Sequence, residues 1–201
     1  MSSGVLRKRN VLDIYGKVDM LILSSQVRYN NRVRIKNEDL AQHSYFVAYN
    51  ILKVAYDYNI PKNISEEAIC RALVHDLDEQ YTSDIPHDCK VEYPQLRELV
   101  KQIGLRYIEQ EAPEAVSYFI DYSNKHDLPN LLVDIGDALS VLQYTNRELL
   151  LGNKTEDMQI ISNEIKARVI RLFDELETEV SKLAKKKEVK GQLSIYDFIE
   201  K

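Results

Sequence analysis

Apolar side chains return every three or four residues along nearly the whole chain, and no stretch alternates apolar with polar as a half-buried strand would. A helix completes a turn in about 3.6 residues, so this spacing gathers the apolar positions on one face that must then be covered. Such a chain is predicted to fold as an all-α bundle. Six glycines, five prolines and no tryptophan are too few turn-formers for an all-β or low-complexity chain. The 201 residues fill one core of ordinary size rather than two.

The pattern divides into about six to seven helices. An opening helix is predicted from Val11 to about Gln26, followed by a polar, basic connection over Arg28–Lys36. Asn37 reads as an N-cap with Glu38 and Asp39 in the first turn. Leu40, Val47, Ile51, Val54 and Tyr58 then recur as far as Asn59. Pro61 stops that helix. Asn63 or Ser65 is predicted to cap the next, whose apolar row is Ala68, Ile69, Ala72 and Leu73 and whose end lies near Glu79. Tyr81–Val91 reads as a loop, and two helices follow over 94–107 and 113–122. Pro129 suits the first turn of a helix with Leu131, Ile135, Ala138 and Leu142 inward. The last long helix is predicted over 155–184, with Ile161, Ile165, Leu172, Leu176, Val180 and Leu183 on one side. A helical domain over 5–184 and a polar linker with a short apolar tail over 185–201 are expected.

Net charge of −5 argues against a nonspecific nucleic-acid coat, although basic patches lie at 7–9, 28–36 and 182–190. No apolar run approaches the ~20 residues of a membrane span. Val11–Leu23 is broken by Asp13, Lys17 and Asp19, unlike a signal peptide. Cys70 and Cys89 have no Cys-x-x-Cys spacing and read as reduced thiols. A soluble, cytoplasmic protein is expected.

Three places put polar side chains where the pattern wants apolar ones. His43 lies three residues after Leu40 and four before Val47, on the buried side of its helix. His75-Asp76 falls beside Ala68 and Ala72, with Glu79 on the face of His75. Asp137 has Val133 and Val141 four residues to either side; Asp134 is either its partner or a surface residue. A lone buried histidine is ordinarily a hydrogen-bonded core residue. Burying imidazoles and carboxylates on three helices is costly unless something pairs with them, and a divalent zinc, manganese, iron or cobalt ion would.

The order His43, then His75-Asp76, then Asp137 resembles the HD-domain metal-dependent phosphohydrolases, whose ligands come from helices of an all-α bundle. Arg28-Tyr29, Ala41-Gln42-His43-Ser44, His75-Asp76-Leu77-Asp78-Glu79, Asp84-Ile85-Pro86 with the following Lys90, and Gly136-Asp137-Ala138-Leu139 are similar to motifs of the bacterial 5'-deoxynucleotidase branch. A phage dNTP triphosphohydrolase branch is similar in the same motifs. The resemblance implies that His43, His75, Asp76 and Asp137 hold one divalent transition metal such as Co, Mn or Zn in a site between helices. It also implies that Glu79 orients or deprotonates the attacking water or protonates the leaving oxygen, and that Arg28 and Lys90 meet the phosphate oxygens. Asp84 matches the position that reads the sugar hydroxyl, beside Tyr29, the aromatic after Arg28.

Two departures stand out. Tyr29 occupies a position where the branch has Trp, which touches discrimination against a ribose 2'-hydroxyl. Gln42 replaces the Glu before the first ligand, which removes a carboxylate behind His43. The resemblance implies hydrolysis of deoxyribonucleoside 5'-monophosphates to nucleoside and phosphate, with dNTP triphosphohydrolysis as the alternative and a homodimer as the assembly. A noncatalytic helical adaptor with a degenerate site is a third reading. Separately, Gln192-Leu193-Ser194-Ile195-Tyr196, extended to Phe198, is similar to the peptide by which replication proteins dock on the sliding clamp.

Overall fold

The apolar faces read from the sequence meet one another in the computed structural model, which describes residues 20–189 apart from 30, 84 and 86. Six long helices carry the bundle: α2 (Leu40–Asp57), α3 (Lys62–Val74), α6 (Pro94–Glu111), α7 (Val116–Asn124), α8 (Leu128–Leu150) and α9 (Glu156–Val189). Shorter pieces lie between them: α1 (Met20–Ser25), α4 (Glu79–Thr82) and α5 (His87–Glu92). Among the described residues the only β pairing is an isolated bridge between Val27 and Asp39.

Helix α8 is the central element, packed against α2, α3 and α9. Val47, Ile51 and Val54 of α2, Ala68 and Ala72 of α3, Leu132, Val133 and Ile135 of α8 and Leu176 of α9 form one buried cluster. Each large apolar side chain buried there contributes about 1.5–3 kcal/mol. A second cluster, Leu23, Leu40, Leu77, Ile108 and Phe119, closes the bundle beneath the turn after α3. No helix among the described residues is long and apolar enough to cross a membrane.

Several boundaries differ from the sequence expectation, each for a local reason. The cap of α2 is Asp39, whose carboxylate accepts from Gln42 N at 2.8 Å; Asn37 is engaged by Arg34 Nε at 2.9 Å instead. Helix α3 starts directly after Pro61, whose φ of −53° already suits a helix. Asn63 and Ser65 therefore lie inside it, and Ser65 Oγ donates to Lys62 O. Helix α3 ends at Val74 rather than near Glu79, and a turn over 75–78 joins it to α4. Leu73 is 52% exposed, outside the apolar row assigned to it. The expected loop over 81–91 contains the end of α4 and most of α5. Helices α6 and α9 run on to Glu111 and Val189, beyond the expected ends, and α7 covers Val116–Asn124. Most of the expected opening helix, and the tail from 190 onward, lie outside the described residues.

Candidate active site

Helix α2 delivers His43 with no exposed surface, and the turn after α3 delivers His75 at 7%. The His75 Nδ1 proton goes to the carbonyl of Ala72 at 2.7 Å, which leaves Nε2 as the ring atom turned toward the carboxylates. His43 Nδ1 lies 3.1 Å from Ser140 Oγ. His43 Nε2 faces Asp137 Oδ1 at 3.3 Å and Asp76 Oδ2 at 3.6 Å, and His75 Nε2 faces the same Asp76 oxygen at 3.2 Å. Neither Nε2 has a hydrogen-bond partner, although both are buried. One donor atom each from His43, His75 and Asp137 falls within 4.8 Å of the others. Two imidazole nitrogens turned toward two carboxylates form a donor set that suits zinc or a neighbouring divalent transition ion.

The charges are strongly coupled. Burial, and the positive charge of Arg28, push His43 down to about 4 and keep it neutral. Burial also works against charge on His75, but Asp76 and Asp137 overcome it and raise that imidazole to about 9. Burial disfavours the charged carboxylates too; His75 outweighs it at Asp76, and His43 and Arg28 outweigh it at Asp137, so both stay well below the carboxylate range. All four expected ligand residues thus converge. The correction concerns His75-Asp76, which sits in the turn at the end of α3 rather than on a continuing helical face.

Arg28 reaches the same centre from the loop over 27–39. Burial opposes its charge, but Tyr29, Asp76, Asp137 and Glu38 more than offset that and hold the guanidinium firmly protonated. Its NH1 is 3.7 Å from Glu38 Oε2, and that oxygen lies 4.0 Å from His43 Nδ1. Glu38 is 5% exposed, and burial pushes it up to about 7. Gln42 is exposed, so the carboxylate behind His43 comes from Glu38, one turn earlier. Tyr29 has a left-handed backbone (φ 58°), and its ring stacks on Tyr144 with centroids 4.6 Å apart.

On the other side of His75, Glu79 Oε1 accepts from Lys90 Nζ at 3.2 Å, which joins two expected site residues. A cavity of about 870 Å³ opens here, lined by His75, Asp78, Lys90, Lys101, Tyr122 and Asp134 among others. Asp134 pairs with Arg168 NH2 at 3.8 Å, while Arg168 NH1 reaches Asp137 Oδ2 at 3.2 Å. Asp84 lies outside the described residues.

Sequence reasoning passed over Glu38, Ser140, Tyr144 and Arg168. A signal for two of them was present: Ser140 and Tyr144 continue the Asp137 stripe of α8 at helical spacing. Gly136 has its own role. A Cβ there would lie 2.8 Å from Val47 O and 3.0 Å from Ile51 Cγ1. The Val47 carbonyl belongs to a helix backbone and cannot yield, so Gly136→Ala is expected to part α8 from α2. A loss of about 1–3 kcal/mol, with metal affinity lowered through Asp137, is the expected result of thermal melts and metal titration. Unchanged values in both would refute this account of the close approach.

Solved structures of other proteins share the helical bundle that carries these residues. A conserved hypothetical protein from Pyrococcus furiosus is 24% identical, with a TM-score of 0.61 over 81% of this chain and 95% of that one. An HD-domain phosphohydrolase from Listeria innocua is 20% identical, with a TM-score of 0.65 over 86% of each chain. The cyanophage S-2L HD phosphohydrolase DatZ, whose structure holds dA and one catalytic Zn2+ ion, is 20% identical with a TM-score of 0.59 over 83% of this chain and 94% of its own. At these identities the likeness shows a shared fold. No curated protein is significantly similar to the chain. The pattern of one family, described as 5'-deoxynucleotidase YfbR-like, matches residues 20–183 and so takes in every described site residue; the chain belongs to the YfbR-like 5'-deoxynucleotidase family.

Proposed function

We propose that this protein is a metal-dependent phosphohydrolase that converts deoxyribonucleoside 5'-monophosphates to nucleoside and phosphate. The observation that carries the reading is the pair of buried, unpartnered Nε2 atoms of His43 and His75, turned toward Asp76 and Asp137 in a chain of this family. Those four side chains would hold one divalent ion, as a relative of the same fold holds Zn2+ beside dA. Such an ion supplies a lowered water pKa and polarisation of the phosphoryl oxygens. Arg28 would neutralise charge that spreads over those oxygens in the transition state. Glu79 takes a proton from the attacking water or passes one to the departing 5'-oxygen. Lys90 holds the Glu79 carboxylate at 3.2 Å and adds positive charge on that side. Tyr29 and Asp84 are assigned to the sugar.

A second reading is dNTP triphosphohydrolysis. Lys90, Arg97, Lys101 and Lys125 border the large cavity and would meet a longer phosphate chain, against the carboxylates of Asp78, Glu98, Asp127, Asp134, Glu175 and Glu179 on the same wall. A panel of deoxy- and ribonucleotides at each phosphorylation level separates the two: orthophosphate from dNMPs supports the first, and tripolyphosphate from dNTPs the second. No turnover of either with Mn2+ or Co2+ would leave the noncatalytic adaptor.

Metal loading should depend on pH in a defined direction. His75 carries its proton below about 9 in the metal-free protein, and a ligand imidazole must be neutral. Metal binding at pH 7 is therefore expected to release a proton, with affinity rising toward pH 9. Calorimetry in buffers of different ionisation enthalpy measures this, and binding without proton release would contradict it.

The finer assignments follow the same reading. The catalytic unit is placed over 5–184, with α9 continuing past that boundary, and 185–201 is assigned as linker and tail. Cys70 and Cys89 are unpaired thiols, which supports a cytoplasmic location. Tyr45, Tyr49, Leu52 and Tyr56 expose a contiguous face of α2 that a homodimer would cover, and sedimentation measures that. Gln192–Phe198 is assigned as a sliding-clamp docking peptide on its sequence alone; equal retention on the clamp with and without residues 191–201 would remove it.

A further inference from the structure

The loop that carries Arg28 and Tyr29 has no regular structure, yet it is fastened at both ends. At its base, Arg28 N donates to Glu38 O at 2.9 Å and Leu40 N to Gln26 O at 3.0 Å. At its tip, the amides of Ile35 and Lys36 donate to the two carboxylate oxygens of Glu148 at 2.7 and 2.8 Å. Asn153 Nδ2 bonds the same carboxylate at 2.8 Å and Val33 O at 2.9 Å. Tyr144 OH donates to Lys36 O at 2.9 Å.

Glu148 has no exposed surface. Burying a carboxylate is costly unless its oxygens are hydrogen-bonded, and here both are. What the carboxylate provides is direction: its two oxygens fix two successive loop amides at once. Asp137, Ser140, Tyr144 and Glu148 also follow one another at helical spacing on α8. Eleven residues of helix separate Asp137 from Glu148, about 16 Å at 1.5 Å per residue. One rigid element therefore carries a candidate metal ligand, the hydroxyl beside His43 Nδ1, the ring stacked on Tyr29, and the clasp on the loop tip.

We propose that Glu148, with Asn153 and Tyr144, is a positioning residue that sets Arg28 against the metal centre, so that α8 fixes the distance between the ligand cluster and the phosphate-binding guanidinium. The inference rests on the phosphohydrolase reading for its readout. Glu148 touches no ligand residue, so its loss should spare the metal.

The test is a double-mutant cycle on the metal-loaded full chain with dNMP as substrate, comparing wild type, Glu148→Ala, Arg28→Ala and the double variant. Glu148→Ala is expected to lower kcat/KM at least tenfold, mainly through KM, with one metal ion per chain retained. The double variant should match Arg28→Ala within twofold, because a residue that acts through Arg28 has nothing left to lose once Arg28 is gone. A general loss of stability would instead lower activity in both backgrounds. Independent, multiplying effects, loss of metal, or unchanged kcat/KM would overturn the proposal. If Glu148→Ala does not fold, Tyr144→Phe removes only the hydroxyl and Asn153→Ala only the amide, and each is held to the same cycle. Wild-type protein inactive on every nucleotide would refute the phosphohydrolase reading alone. Calorimetric binding of inorganic phosphate to the same proteins then decides the inference, and equal affinity in wild type and Glu148→Ala, or no binding to wild type, overturns it.

Discussion

His75→Ala is expected to abolish metal retention and to lower dNMP turnover by about 10³-fold or more, a barrier increase of about 4 kcal/mol. The side chain is buried, its Nδ1 proton is committed to Ala72 O at 2.7 Å, and its Nε2 faces Asp76 at 3.2 Å. Alanine leaves a void and only His43 as a nitrogen donor, while Asp76 and Asp137 keep their negative charges with less to balance them. Glu79→Gln separates chemistry from binding. Glu79 lies beyond the ligand cluster and bonds Lys90, so the glutamine should keep the metal and keep an oxygen for Lys90 while losing the proton-accepting group. A fall in kcat of about 10²–10⁴-fold with KM little changed is expected. Metal content by elemental analysis and initial rates measure both. Wild-type rates in both variants would mean that the reacting centre lies elsewhere.

How far the site could be read before the fold was known depends on how far apart its partners lie in sequence. His43 and Asp137 each interrupt an apolar row of their own helix, and Asp76 falls in line with the apolar row that ends at the turn after α3, so periodicity alone marked them. Arg28, Tyr29 and Lys90 came from motif resemblance, and the structure places Arg28 near Asp76 and Asp137 through a loop that no periodicity describes. Glu38 was legible only as a first-turn acid. It lies buried beside His43 just before the cap at Asp39, while Asn37 bonds Arg34. The clasp on the Arg28 loop was out of reach because Glu148 and Ile35 are 113 residues apart. Local rules also misplaced the end of α3. Ala68, Ala72 and His75 fit one helical face, yet the chain turns at 75–78 to bury Leu77 in the second core cluster, and that tertiary gain overrides the local pattern.

Arg71 is the second position where a large effect is expected, and its effect is on stability. Although it is only 2% exposed, its NH1 bonds Asp127 Oδ1 and Asn130 Oδ1, each at 2.7 Å, and its Nε bonds Glu67 at 3.0 Å. Asp121 lies 3.6 Å from its NH2. Asp127 caps α8, accepting from Asn130 N at 3.1 Å, and Asn130 Nδ2 in turn holds the carbonyls of Asp121, Tyr122 and Lys125 at the end of α7. One guanidinium thus ties α3, four residues before His75, to the start of the helix that bears Asp137. Arg71→Ala would strand buried polar groups whose charge and hydrogen bonds it now satisfies. The expected cost is about 3 kcal/mol, at the low end for breaking a buried pair because Asp121 and Asp127 are partly exposed. For a chain of this size that is a fall in Tm of about 6–12 °C. Arg71→Lys should recover less than half, since an ammonium cannot reproduce a planar fork directed at three partners. Because the partners are fixed around a buried group, the loss should persist in high salt, where a surface pair would already be screened. Denaturant unfolding of the three proteins at low and high salt measures it. A difference below 1 kcal/mol, or full rescue by lysine, would show that the bundle is held without this hub and that the His75 turn takes its position from the apolar core alone.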